Sequence, residues 1–416
     1  MSVTEHAPRR RPRSLPARVS QVVESYTTDC DLPLAQRAFR TPLRDERLAA
    51  WLGASLGILF TTCFVTGLYS HLHQHPISWL AVPARPAGLY RLTQGVHVAS
   101  GIASMPVLVA KLWLVWPRFV AFPPAKRLTN VVERIGLFPL VAGGVFMVFS
   151  GIANIAQWYP WKFSFTASHF WTAWIVMGAI VAHVGAKWAI TRQSLGRHRP
   201  SLAEAEPALG SVAEAPHDGL TRRGFLTTVG AAAVTLTAVT VGQTLRPLRH
   251  LALLGPRDVQ TGPQGRPVNR SAANAGVVAA ASSPGYRLIV EGRVGRPLSL
   301  TLDDVRALAA HGASLPIACV EGWSYSARWQ GVRVRDLMAM AGAQPGARAN
   351  IVSLEQHSIY SVSNLDDAQA HDPDTLLATH LDGRVLSADH GFPLRLIGPN
   401  RPGVNQTKWV TKVVVL

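Results

Sequence analysis

Five apolar stretches constrain this chain more than any other feature, because a run of about 20 residues with little charge is what a helix needs to cross a bilayer. They occupy residues 48–69, 92–116, 135–158, 170–190 and 225–244. Basic residues separate them unevenly. Arg9, Arg10, Arg11 and Arg13 precede the first, and Arg118, Lys126, Arg127 and Arg134 lie between the second and third. Arg192, Arg197, Arg199, Arg222 and Arg223 gather before the fifth, whereas the other connections hold only Arg85, Arg91 and Lys162. An excess of Lys and Arg marks cytoplasmic loops, so the N-terminus is expected inside a bacterial plasma membrane and everything after residue 244 outside it. Trp79, Trp158, Trp161 and Trp171 then fall at the outer boundary, and Trp113, Trp116 and Trp188 at the inner one, as an aromatic belt. The net charge of +17 would suggest a nucleic-acid partner in a soluble chain. Here the charge sits between apolar segments rather than on an aromatic-rich face, so it reads as topological and no nucleic acid is expected.

Residues 245–284 are rich in Pro, Gly, Ala, Ser and Asn without periodicity, which predicts an extended, flexible tether. Beyond it, YRLIVEG, ARWQGVRV and KWVTKVVVL alternate as strands do, and Asp303 and Asp304 open one helix over 302–310. The expected fold class is therefore multi-domain, an all-α transmembrane bundle of four helices plus a fifth anchor helix, followed by a mainly β (α+β) domain. The expected boundaries are a basic cytoplasmic tail at 1–47, a four-helix membrane domain at 48–190, a cytoplasmic loop at 191–224, the fifth helix at 225–244, the tether at 245–284 and the last domain at 285–416.

Of the three cysteines, Cys30, Cys63 and Cys319, only Cys319 falls in the exported part. A lone cysteine on an oxidising side is buried and inert, paired between molecules, or a ligand or nucleophile. Cys319 ends the apolar run LPIAC and is followed by VEGWS, so a thiolate is presented on a Gly-containing turn. That suits a soft or high-valent metal. Zinc would need paired ligand spacing, which the scattered histidines do not give.

The stretch CVEGWS, then W-x-G-V and a Leu-containing helix, resembles the sulfite oxidase family of molybdopterin oxidoreductases. The second block, LLATHLDGRVLSADHGFPLRLIGPN ending in TKWV, is similar to the same family, and the resemblance covers roughly residues 286–416. It implies that Cys319 is the protein thiolate on molybdenum and that Tyr360 lines the substrate side of the metal. It also implies that Asp389, His390, Gly391, Arg395, Lys408 and Trp409 lie against the pterin. Arg395 and Lys408 suit the cofactor phosphate through their positive charge. The family's Arg-Asn-His block is missing, and PVNRSAANAG stands where it would be. The pterin site is then looser, completed by the tether, or lost.

Histidine inside a membrane span is a functional hypothesis by default. His97 and His169 fall at the outer ends of the second and fourth spans, and could hold a haem b between two imidazoles. His183 lies 14 residues after His169 on nearly the same helix face, about 21 Å deeper, where it could serve a second haem. A four-helix module of this kind resembles bacterial cytochrome b subunits of the formate dehydrogenase type. His71, His73 and His75 in YSHLHQHP could replace a ligand, bind a metal, or decorate a loop.

Arg222 and Arg223 read first as positive residues flanking one more helix. A domain that acquires its pterin in the cytoplasm must cross the membrane folded, however, and TRRGFL matches the signal of the twin-arginine export machinery. The expected function is a membrane-bound, molybdopterin-dependent oxidoreductase, with quinone or another redox partner in the membrane. The alternative is a membrane haem protein whose exported domain is a non-catalytic binding or sensing module. A transporter is a third reading, and it would show broken helices or more polar midplane residues.

Overall fold

The computed structural model describes residues 43, 45–77, 79–80, 82–120, 128–195, 220–356 and 358–416. The basic tail, Cys30 and most of the connection before the fifth span lie outside the described residues. Five long helices come first: α1 (Glu46–Gln74), α2 (Leu89–Val120), α3 (Leu128–Ile155), α4 (Phe165–Leu195) and α5 (Arg222–Val241). Each contains a segment long and apolar enough to span a membrane, namely Glu46–Gln74, Leu89–Trp116, Gly136–Ile155, Phe165–Trp188 and Arg222–Thr244. Ile58, Val109, Phe138 and Val234 point outward from the bundle, as side chains of lipid-facing helices do. Helix α2 packs on α1 and α5, and α3 on α4. The α3–α4 crossing is close because Gly143 has no side chain; a Cβ there would fall 2.5 Å from Val176 Cγ2. Thr221 caps α5 by accepting from Gly224 N at 3.0 Å, and Arg222 in its first turn pairs with Asp45 beside α1 at 3.1 Å.

The C-terminal domain is built from two sheets. Strands β1 (Arg287–Gly292), β2 (Leu298–Thr301), β5 (Ala349–Ser353), β6 (Val362–Leu365) and β10 (Val410–Val415) form the first, in the order β2-β1-β10-β5-β6. The β1–β10 pair is parallel. The second holds β3 (His311–Ala318), β4 (Ser324–Arg333), β7 (Leu376–Leu381) and β8 (Arg384–Val385), with β9 (Arg395–Ile397) against β7. Short helices α6 (Val278–Ala281), α7 (Leu302–Leu308), α8 (Val334–Met340) and α9 (Asp367–His371) connect them. The acidic start expected for α7 is a capping box in which Thr301 and Asp304 each satisfy the other's backbone N–H. One core, including Leu288, Leu337, Ile351, Leu396 and Val413, lies between β1, β5, β10 and α8. A second, around Leu315, Ile317, Trp329 and Leu381, contains Cys319.

The expected tether is different in the structure. Residues 245–284 run as 3-10 turns and α6 across the face of the C-terminal domain, forming a strap. Arg266 pairs with Asp382 at 2.8 Å, Gln264 donates to the Val385 carbonyl at 3.1 Å, and Ala272 N donates to Asp389 Oδ1 at 2.8 Å. Ala272, Val277 and Ala281 are buried against Trp409. Gly, Pro, Ser and Asn erase periodicity, but they leave backbone groups that neighbouring loops can satisfy, so aperiodic composition alone did not mean an unattached segment.

The domain is also fixed to the bundle. Asn400 Oδ1 accepts from the Tyr90 backbone N at 2.7 Å, so it fills an orphan position in the first turn of α2, and its Nδ2 donates to the Pro83 carbonyl at 2.6 Å. Arg85 reaches Asp372 at 2.9 Å and Asp374 at 2.5 Å. Asn400→Ala should cost about 0.5–2 kcal/mol, the usual range for a lost helix cap. Hydrogen exchange of residues 83–94 should speed up in this variant while the strands of the domain stay protected.

Candidate active site

Cys319 lies where β3 turns into β4. Its N–H donates to the Trp323 carbonyl at 2.9 Å, and the Gly322 N–H returns to the Cys319 carbonyl at 3.1 Å. This tight turn needs Gly322, whose φ is +91°. The thiol is buried, and burial followed by the nearby Glu321 carboxylate pushes its pKa up. It therefore stays protonated until a cation replaces the proton.

A second segment faces it. Ser387 caps the short turn Ala388–His390, and Gly391, at φ +109°, lets the chain enter β9. A Cβ on Gly391 would fall 3.1 Å from Lys408 Cβ and 3.2 Å from Arg395 Cβ, so its absence draws these two cations together. Arg395 is buried over the Trp329 ring at 5.5 Å and donates to the His390 carbonyl at 3.3 Å. Its Nε is buried with no partner among the described residues. Lys408 Nζ donates to the Arg270 carbonyl at 2.6 Å and the Asp389 carbonyl at 2.9 Å. Burial and then Arg395 pull its pKa down to about 7. His390 Nε2 donates to the Pro263 carbonyl at 2.8 Å, and burial and Arg395 hold the ring neutral, with its pKa lowered to about 4. Trp409, buried at φ 53°, donates from Nε1 to the Ala388 carbonyl at 2.7 Å.

One narrow cleft is lined by Cys319, Trp323, Tyr325, His390, Arg395 and Lys408, together with Pro267, Val268 and Asn269 of the strap. A thiol, two crowded cations and a buried guanidinium nitrogen lacking an acceptor, all on one cleft, are the donor set for a sulfur-ligated metal with an anionic tail. These residues fit a pterin cofactor of molybdenum in chemistry; the cleft itself is only about 10 Å³, so Pro267, Val268 and Asn269 of the strap would have to move outward to admit it. The strap completes the cleft, one of the outcomes left open by the missing block. Tyr360 is not in the cleft wall; it is partly exposed on the 358–361 turn and lines a different cavity. Burial and then Cys319 push its pKa up, so its hydroxyl remains a donor.

That other cavity, about 760 Å³, lies inside the bundle and reaches the domain at Val320 and Tyr360. His97 and His169 line it with ring centres 6.3 Å apart and planes at 68°. His97 Nδ1 donates to the Cys63 carbonyl at 2.9 Å, and His169 Nδ1 meets Ser150 Oγ at 2.8 Å. Gly67 makes room for His97, since a Cβ there would fall 3.0 Å from its Cε1. His183 does not line this cavity: it sits further along α4, away from the pair, as its 14-residue spacing from His169 implies. His71 stacks on Phe170 at 3.7 Å. Among the described residues no group of three or more His, Cys, Asp or Glu is placed to hold a metal ion by itself. Sequence reasoning missed Gln94, Gln157, Arg257 and Glu321, which meet around the Cys319 turn. Gln94 alone carried a signal, as an uncharged polar residue one helical turn from His97.

Residues 275–416 match the oxidoreductase molybdopterin binding domain family. The mitochondrial sulfite oxidase of Drosophila melanogaster is 32% identical over 155 residues, spanning 31% of this chain and 27% of that protein. A protein of Azospira oryzae bearing the provisional name protein-methionine-sulfoxide reductase subunit YedZ1 is 33% identical over 130 residues, spanning 31% of this chain and 48% of its own length. The uncharacterized oxidoreductase YuiH of Bacillus subtilis is 35% identical over 126 residues, spanning 30% of this chain and 62% of its own. The chain covers less than two thirds of each of these relatives. With the thiol turn, the paired cations and the family match all in residues 275–416, the C-terminal domain is a molybdopterin-binding oxidoreductase domain of the sulfite-oxidase-like kind.

Proposed function

We propose that the chain is a bacterial plasma-membrane oxidoreductase. Its C-terminal domain, on the outer side, would carry out two-electron, oxygen-atom-transfer type chemistry, and its bundle would pass single electrons through haem b to or from quinone. The convergence of Cys319, His390, Arg395 and Lys408 on one cleft carries this reading. When bound, the pterin cofactor supplies molybdenum, its dithiolene sulfurs and the two-electron step. Cys319 would ligate the metal through its thiolate. Arg395, with its free Nε, and Lys408 would hold the phosphate, and Trp409 fixes the turn from which His390, bound to the strap through Nε2, would border the cofactor. Tyr360, which lines the bundle cavity and not the cleft, takes no part in this reading. The names of the relatives point to sulfite or a sulfoxide as the substrate class.

His97 and His169 support the haem. Two imidazoles bound through Nε2 to one iron have ring centres about 6 Å apart, from a metal–nitrogen distance of about 2 Å on each side. The observed 6.3 Å agrees, and both Nδ1 atoms are already engaged, which orients Nε2 toward the cavity. One haem is proposed rather than two. Export of the folded domain through the twin-arginine route is supported by TRRGFL at the start of α5.

Detergent-purified chain should hold molybdenum near one atom per chain, and Cys319→Ser should lose most of it; a metal-free wild type from a cofactor-competent host would sink the reading. His97→Ala or His169→Ala should abolish the haem Soret band while molybdenum remains. Cofactor retention should also depend on pH through Lys408. Only the protonated amine attracts phosphate, and the bound anion raises its pKa, so retention weakens as pH rises from about 7 toward 9. Lys408→Arg, charged throughout, should flatten that profile in a dialysis series.

A further inference from the structure

The three residues after Cys319 are gripped from the bundle side. Gln94, on α2 one turn before His97, donates from Nε2 to the Val320 carbonyl at 3.3 Å. Val98, next to His97, packs on Gly322; a Cβ on Gly322 would fall 3.0 Å from Val98 Cγ1. Between them Glu321 is buried, and its carboxylate accepts from Trp323 Nε1 at 2.7 Å and from Arg257 Nε of the strap at 3.1 Å. The third donor is Gln157 Nε2, in the connection between α3 and α4, and Gln157 Oε1 accepts in turn from Arg257 at 2.7 Å. Val320 lines the cavity of the imidazole pair while Cys319 lines the cleft, so adjacent residues face the two sites.

We propose that Gln94, Gln157 and Glu321 are positioning residues that lock the Cys319 turn onto the His97 helix, so that electrons cross between cleft and imidazole pair through a fixed joint, without movement of the domain. This rests on the function proposed above. The path runs from Cys319 to the Val320 carbonyl, through the Gln94 side chain into α2, and on to His97. Each event transfers one electron, oxidising one centre and reducing the other, and makes or breaks no bond. A hinged arrangement would need the domain to lift away. Asn400, Arg85 and the strap hold it down, and lifting would strip the buried Glu321 of its Gln157 partner.

The test uses the full chain in detergent with both cofactors bound. A flash-generated deazaflavin radical gives one electron to ferric haem, and absorbance follows the haem reoxidation as that electron passes to oxidised molybdenum. The expected rate is independent of added glycerol. Gln94→Leu slows it by about tenfold or more, in keeping with the cost of small misplacements at a reacting contact, while molybdenum content and the haem spectrum stay unchanged. In chain without cofactors, the amides of residues 319–324 should exchange faster in Gln94→Leu and in Gln157→Leu. A wild-type rate that falls with viscosity, a Gln94→Leu plus Gln157→Leu protein that transfers at the wild-type rate, or unchanged amide exchange would each overturn the joint. A chain that takes up no molybdenum or no haem would defeat the functional reading instead, and amide exchange would then decide the joint by itself.

Discussion

The side chain of Asn400 at the first turn of α2 is the contact on which the rest of the arrangement depends. A helix start leaves N–H groups unsatisfied, and normally a residue just before the helix accepts from one of them. Here the acceptor comes from 310 residues further along the chain, in the loop after β9. Asn400 itself has φ 50° and its own N–H donates to the Ala87 carbonyl at 3.0 Å, so the same residue binds the α1–α2 connection twice. Because α2 carries Gln94 and Val98 on either side of His97, seating its first turn also sets where α2 meets the Cys319 turn.

Charge is divided between the two cavities in a way that matches what each would take. The cleft beside Cys319 is lined by Arg395 and Lys408, and burial, then the neighbouring guanidinium, depresses the lysine. Two cations forced together in a buried place are costly unless an anion joins them. The cavity in the bundle has no Asp, Glu, Lys or Arg in its wall among the described residues; five histidines, His97 and His169 among them, share it with apolar, aromatic and uncharged polar side chains. Such a wall accepts a flat, largely apolar ring system and holds it through metal ligation rather than ion pairing.

What was legible in the sequence followed from how local the cause was. The five spans are a matter of composition over about 20 residues, and they emerged where expected. The Cys319 turn was readable from Gly322, which fixes a local backbone shape, whereas the 389–409 block was readable only through its resemblance to a family. The pairing of His97 with His169 was foreshadowed by the rarity of ionisable groups in spans, whereas the position of His183 required the helix packing. Residues 245–284 were misread because their partners, Asp382, Val385 and Asp389, lie more than 100 residues away. Tyr360 was expected beside the metal and instead faces the bundle. No local pattern encodes which side of a turn a second domain will cover.

Glu321 shows why the order of assembly matters. A carboxylate this deeply buried is unfavourable unless its oxygens are satisfied. Trp323 and Arg257 provide two donors from the domain and its strap, so the charge is partly satisfied without the bundle. Gln157 comes from the bundle and can join only after docking. The polar groups at this seam are therefore divided so that each half is tolerable alone and better satisfied together. That division would suit the proposed export route, in which the domain folds and fills its cleft before it meets the helices, because docking then adds hydrogen bonds without requiring the core around Cys319 to reopen.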